Sequence, residues 1–357
     1  MYAEFYNLSS KPFQLTPDPR FYYNSSTHKK AMAYLTYGLN QGEGFIIITG
    51  DIGAGKTTLV GHLFDELDRD RFVACKVVTT QIGADDTLRM VAAGFGLPTE
   101  GADKATLLLR IEQYLRAQYR AGKRALLVID EAQNLPTRAL EELRMLSNFQ
   151  EGEHALLQSF LLGQPEFREK WALDPELEQL RQRVIATHHL EPMTAEETRG
   201  YILHRLELVG WNNDPHFSEE AFSAIYKYTN GVPRRLNSLC ARIMLYGAIE
   251  ELRTMSAEVV EDVIADLERD NRAASAKLQD ASQLSQLKHK LDDVAATAGF
   301  RSNGTGGDYG ASLDEISRRL DVLEQYVRMH DQTIKQALDL AAKWLEDSGE
   351  QHDKPAE

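Results

Sequence analysis

Residues 50–58, GDIGAGKTT, constrain this chain more than any other stretch. Glycines at 50, 53 and 55 make a backbone too permissive for the interior of a helix or strand. Yet the apolar run FIIIT (45–49) leads straight into it, and a helical pattern beginning near Lys56 leads straight out. Between a strand and a helix, such a loop can turn successive backbone N–H groups inward as an anion nest. The helix N-terminus adds the positive end of its dipole. Gly50-x-x-x-x-Gly55-Lys56-Thr57 matches the P-loop pattern. In that pattern Lys56 reaches the β- and γ-phosphates and the Thr57 hydroxyl completes a Mg²⁺ shell. Gly50, Asp51, Ile52, Gly53, Ala54, Gly55, Lys56, Thr57 and Thr58 are therefore the predicted nucleotide-binding residues, with ATP and Mg²⁺ as cofactors.

The surrounding sequence supplies the sheet such a loop needs. Apolar runs FIIIT (45–49), FVACKVV (72–78), ALLVI (125–129), SFLL (159–162) and VIATHHL (184–190) alternate with helical patterns starting near Lys56, Thr87, Asp103 and Pro136. That alternation predicts an α/β fold with a parallel five-stranded sheet over 44–191, helices covering both faces. After Pro192 the strand signals stop. Thr194 followed by Glu197 reads as a capping box, Ser218 opens the next helix and Gly231 closes it, so 192–270 is expected to be a helical lid. Residues 1–43 form a lead-in. Beyond it all, 271–300 reads as a helical linker, 301–312 as a glycine-rich break and 347–357 as a disordered tail. Over 313–346, Leu313, Ile316, Leu320, Leu323, Val327, His330, Ile334, Ala337, Ala341 and Trp344 step by three and four residues. That spacing suits a coiled coil, or a single amphipathic helix packed on the α/β domain.

The second half of a hydrolytic site is RALLVIDEAQNL (124–135), an apolar strand ending in two carboxylates. Asp130 is the predicted holder of the Mg²⁺ shell. Glu131 is the predicted base for the attacking water. Nucleotide binding alone would not require that second carboxylate. Gln164 ends the fourth strand, where its amide can reach the lytic water or the γ-phosphate. LRQRVI brings Arg181 and Arg183 to the start of the fifth strand, and GVPRRLN brings Arg234 and Arg235 to the start of a lid helix. His188 and His189 read as packed strand residues, Trp171 and Trp211 as packing residues, and Cys75 and Cys240 as buried reduced thiols.

Taken together, GDIGAGKTT, VIDEAQNL, LLGQPEF, LRQRV and GVPRRLN resemble the AAA+ ATPases of the general secretion pathway protein A type. The lead-in MYAEFYNLSSKPFQLTPDPRFYYNSSTHKKAMAYLTYGL looks like that of the secretion ATPases found beside exosortase/PEP-CTERM exopolysaccharide loci. The resemblance covers about residues 1–270 and implies a 5-1-4-3-2 strand order with ATP at the junction of sheet and lid. By it Gln164 falls at sensor 1 and Arg234 at sensor 2. Arg183, with Arg181 as the alternative, falls near a trans-acting arginine finger, and residues 19–28, within PDPRFYYNSSTH, fall near the adenine. It also implies a ring-like, hexamer-like homo-oligomer. Secretion-pathway members carry a transmembrane segment and a periplasmic peptidoglycan-binding domain after the ATPase, whereas heptads follow it here. That departure favours the exopolysaccharide-locus relatives.

No run of 18 apolar residues occurs, and MYAEFYNLSS lacks a secretory signal, so a cytoplasmic chain with room for peripheral inner-membrane association is expected. The net charge of −14 opposes nonspecific attraction to nucleic acid or anionic lipid. These features favour a motor or switch that acts through protein partners in an envelope-secretion or polysaccharide-export machine. The alternatives are a DNA-dependent ATPase of the transposition-regulator type and a slowly hydrolysing, nucleotide-gated scaffold.

Overall fold

The computed structural model describes residues 2–78, 83–270 and 272. Contacts divide the chain into units over 1–274 and 275–357, and the described residues all fall in the first. The expected linker apart from residue 272, the glycine-rich break, the coiled coil and the tail lie outside the described residues.

Two helices open the unit, α1 (Tyr2–Phe5) and α2 (Ser26–Gln41). The strand β1 (Phe45–Gly50), the helix α3 (Lys56–Glu66) and the strand β2 (Phe72–Val78) follow. Then come α4 (Ala84–Gly94), α5 (Lys104–Arg120), β3 (Arg124–Asp130) and α6 (Thr137–Leu146). A small hairpin of β4 (Gln150–Glu151) and β5 (His154–Ala155) precedes β6 (Leu157–Gly163). After α7 (Pro165–Leu173) and α8 (Glu178–Arg181), β7 (Val184–Leu190) completes the main sheet.

That sheet is parallel, in the order β2-β3-β6-β1-β7. Numbered as five strands this is 2-3-4-1-5, the order the family resemblance implies. Every residue of β1 and β6 is buried, because helices cover both faces of the sheet at these two inner strands. Phe45 and Ile47 join the core under α4, α5 and α6, while Ile46 and Ile48 join the one under α2 and α3. Each helix meets its face through regular apolar spacing. In α5 Leu107, Ile111 and Leu115 recur every fourth residue and are all buried.

The lid comprises α9 (Ala195–Glu207), α10 (Glu219–Thr229), α11 (Pro233–Ile249) and a last helix over 257–270. Thr194 accepts a hydrogen bond from the Glu197 N–H and Glu197 reaches back, forming the expected capping box. Asn230 closes α10 in the left-handed region, one residue before the expected stop at Gly231. The lid is not wholly helical, however. β8 (His216–Phe217) pairs in parallel with β9 (Thr254–Met255), a ladder too short to leave a periodic signal. The helix expected near Thr87 starts earlier, at Ala84, and the Thr87 hydroxyl donates to the Gly83 carbonyl 3.0 Å away.

The first part of the lead-in packs into the lid, whereas α2 covers the sheet. Tyr2, Tyr6, Leu8, Phe13 and Phe21 share a core with Tyr201, Leu206, Leu239, Met244 and Val260. The start of the chain and the lid helices thus share one core. Cys75 and Cys240 are buried free thiols, and burial raises both, Cys240 to about 12.

Candidate active site

The glycine loop is built as its pattern requires. Gly53 and Gly55 both lie in the left-handed region, at φ of 86° and 95°. A Cβ on Gly53 would collide with the Arg234 side chain, and one on Gly55 would meet His28 Nε2 at 2.8 Å. Steric room and backbone sign thus both demand glycine there. Lys56 is buried, and its Nζ donates to the carbonyls of Gly50 (2.5 Å) and Asp51 (3.0 Å). Burial lowers its pKa, against the opposing pull of Glu131, Asp130, Asp51 and Glu166. The cation is therefore drawn into the loop, where an anion would complete its surroundings.

Thr57 and Asp130 come together from α3 and β3. The threonine Oγ1 donates to Asp130 Oδ2 over 3.0 Å. Oxygen donors this close fit a hard divalent cation. Lys76, a lysine in the apolar run of β2, forms an ion pair with the same Oδ2 at 3.0 Å. Asp130 Oδ1 accepts from the Glu131 N–H at 3.1 Å.

Glu131 adopts a left-handed backbone, φ 58° and ψ 41°, which non-glycine residues seldom take. Two amides hold its carboxylate there. Gln133 Nε2 donates to Glu131 Oε2 at 2.6 Å and Gln164 Nε2 donates to the same oxygen at 3.1 Å. Gln133 Oε1 in turn accepts from the Gln164 N–H at 3.1 Å. Gln164 is thus where its strand-end position suggests, with Glu131 as its observed partner.

A cavity of about 340 Å³ joins these groups to the lead-in and the lid. Gly53, Gly55, Lys56, Thr57, Thr58, Glu131 and Gln164 line one part, and Arg234 from the start of α11 borders it. The Arg234 N–H donates to the Gly53 carbonyl at 3.2 Å. Pro19, Arg20 and Phe21 form a short turn capped by Asp18, and Phe21, Tyr22, Tyr23 and His28 of the 19–28 segment line the cavity. Arg181 and Arg183 do not. Arg181 donates to Glu178 and to the carbonyls of Trp171 and Asp174, and Arg183 donates to Ser147 O and Oγ. His188 and His189 pack at the β1–β7 edge against Thr27 and Thr49. Trp171 is buried, and Trp211 Nε1 donates to the Pro215 carbonyl.

Gln133, Lys76 and Arg205 escape the motif reading, whereas His28 falls at the end of the 19–28 segment expected near the adenine. Gln133 sits inside VIDEAQNL, and Lys76 and Arg205 are charges set in apolar patterns, a signal that was available.

Residues 39–171 match the family model described as an AAA domain. Fold and site together define an AAA+ P-loop ATPase. Over 246 residues the chain is 36% identical to general secretion pathway protein A of Aeromonas hydrophila, an alignment covering 69% of this chain and 44% of the relative. The chain belongs to the AAA+ ATPases of the general secretion pathway protein A type, and it spans less than half the length of that relative.

Solved structures share the fold at lower identity. The Aeropyrum pernix ORC1 protein in complex with DNA is 15% identical, covering 73% of this chain and 70% of that one, with a TM-score of 0.55. Cdc6p from Pyrobaculum aerophilum is 18% identical, covering 74% and 70%, with a TM-score of 0.53.

Proposed function

We propose that this ATPase works as a motor or switch in an envelope-secretion or exopolysaccharide-export assembly, as a ring-like homo-oligomer acting through protein contacts. The identity to general secretion pathway protein A supports the secretion setting. The net charge of −14 counts against a DNA-stimulated enzyme. Among the described residues no helix is long and apolar enough to cross a membrane. Contact with an envelope machine would then run through partners or a peripheral surface.

The observation that carries the hydrolytic mechanism is the Glu131 carboxylate, held by two amides at the cavity that also contains Lys56 and Thr57. Lys56 and the loop N–H groups bind and orient the phosphates of ATP. Glu131 accepts the proton of the attacking water, and Gln133 and Gln164 keep the carboxylate aimed. The Thr57 hydroxyl and Asp130 would hold Mg²⁺, which when bound offsets phosphate charge. Arg234, packed on Gly53, brings a lid cation to the phosphate end as sensor 2. Arg183, with Arg181 as the alternative, is assigned to a neighbouring subunit's nucleotide, since neither lines the cavity of its own chain.

Lys56→Ala should abolish ATP binding, and Glu131→Gln should bind ATP without turning it over, both read by calorimetry and phosphate release. Glu131→Gln loaded with ATP should then capture an export or secretion component from its native host's envelope extract that Lys56→Ala does not. Strong stimulation of wild-type turnover by double-stranded DNA, with no such capture, would overturn the partner reading in favour of a DNA-dependent ATPase.

A further inference from the structure

The lid contributes to the same cavity a cation that, among the described residues, has no counter-ion. Arg205, on α9, is only 5% exposed and lines the same cavity as Lys56. Its Nε donates to the Pro12 carbonyl at 2.6 Å. Its Nη1 donates to the Tyr201 hydroxyl at 2.5 Å and to Asn237 Oδ1 at 3.2 Å. The guanidinium lies 4.5 Å from the Phe21 ring centroid and 5.4 Å from that of Tyr201. Every one of these partners is neutral. Among the described residues no carboxylate forms an ion pair with Arg205, and Nη2 has no hydrogen-bond partner.

A buried charge held only by carbonyls, a hydroxyl and ring faces is costly unless something completes it. Here three bonds from Nε and Nη1 fix the planar guanidinium, which leaves the Nη2 arm pre-oriented. The phosphates belong to the loop end, where Lys56 and the α3 N-terminus receive them. The rest of a nucleotide extends into the remainder of the cavity, between lead-in and lid. Arg205 lines that remainder with Phe21, Tyr201 and Asn237, and a free donor arm there suits an acceptor atom of the base.

We propose that Arg205 determines base specificity by donating from Nη2 to a ring nitrogen of adenine. The inference rests on the ATP site proposed above. It also gives the buried Tyr201 and Asn237 a positioning role, since Tyr201 donates to Asn237 Oδ1 at 2.9 Å and both steady the guanidinium.

The test is a calorimetric titration of the full chain with Mg-ATP, with its 1-deaza, 3-deaza and 7-deaza analogues, and with Mg-tripolyphosphate, which has no base. One analogue should bind wild type at least about fivefold more weakly than ATP. Arg205→Met should bind ATP about tenfold or more weakly, lose the penalty for that analogue and keep its tripolyphosphate affinity. If the methionine variant does not fold, Arg205→Lys keeps the charge without the fork and is read the same way. Equal binding of ATP and all three analogues by wild type would overturn the proposal. So would an equal loss of ATP and tripolyphosphate in the variant, which would make Arg205 a staple between lead-in and lid. Failure of the site reading looks different: Lys56→Ala would leave ATP affinity intact.

Discussion

His28 lies buried against the glycine loop, with Ser25 Oγ 2.7 Å from its Nδ1. Burial pulls its pKa down to about 4, helped by His188 and opposed by the Ala54 backbone and Glu197. An unfolded histidine titrates near 6.5, so between these values the unfolded chain binds the extra proton. The stability tied to neutral His28 should be fully present above pH 6.5 and drain away as pH falls towards 4. Urea unfolding at pH 7 and pH 5 should show a drop that His28→Asn makes smaller; an unchanged drop would show that other groups set it. Gln133 belongs to the same scale. Gln133→Ala should lower turnover about tenfold or more while leaving ATP affinity unchanged, because it loosens the aim of Glu131 and touches no phosphate-binding group. Phosphate release and calorimetry together decide that split. The place of Glu131 at the cavity was legible in the sequence, since it directly follows an apolar strand behind a P-loop. Its two amide supports were not legible as a set. They depend on the left-handed turn at Glu131, and a glutamate gives no warning of positive φ as a glycine would.

At the scale of elements, the capping box at the start of α9 does two jobs. Thr194 and Glu197 satisfy each other's N–H groups, and Glu197 Oε1 also accepts the Ser26 N–H at 2.7 Å. One side chain thus joins the lid to the N-terminus of α2. Thr194→Ala should cost about 1 kcal/mol, the usual worth of a cap. Glu197→Ala should cost more, because it frees an N–H on each of two helices. Chemical unfolding of the two variants side by side checks the order, and equal losses would mean that the Ser26 contact contributes nothing. The five main strands and the caps could be read from sequence because each repeats or punctuates a period. The β4–β5 hairpin and the β8–β9 ladder could not, since two residues a strand contain no period to detect. The early start of α4 has a similar cause: Gly83 occupies the N-cap without a side-chain cap to announce it.

On the scale of the molecule, Arg183 tests the assembly. Its guanidinium is spent on Ser147 within the chain and lines no part of that chain's cavity. If it serves a neighbour, Arg183→Ala should keep ATP affinity and lose turnover, and mixing it with Glu131→Gln subunits should restore part of the rate. ATPase assays across mixing ratios, with subunit exchange verified, would show additive inactivity if Arg183 acts only within its own chain. The sheet, the loop and the lid were all legible at this scale, but the seat of the lead-in was not. Its first aromatics could have packed on the sheet or on the lid, and only the three-dimensional core selects the lid. That seat has a consequence for the chain while it is being made. The Tyr6 hydroxyl donates to the carbonyl of Leu252, 246 positions later. A ribosome adding about 5–20 residues per second needs on the order of 10–50 s to cover that gap. Until then the Tyr6 hydroxyl lacks this acceptor, and the core around Tyr6 and Phe13 lacks Met255, Val260, Val263 and Leu267. The core that joins Tyr6 and Phe13 to Val260 and Leu267 can therefore close only once the last lid helix has been made.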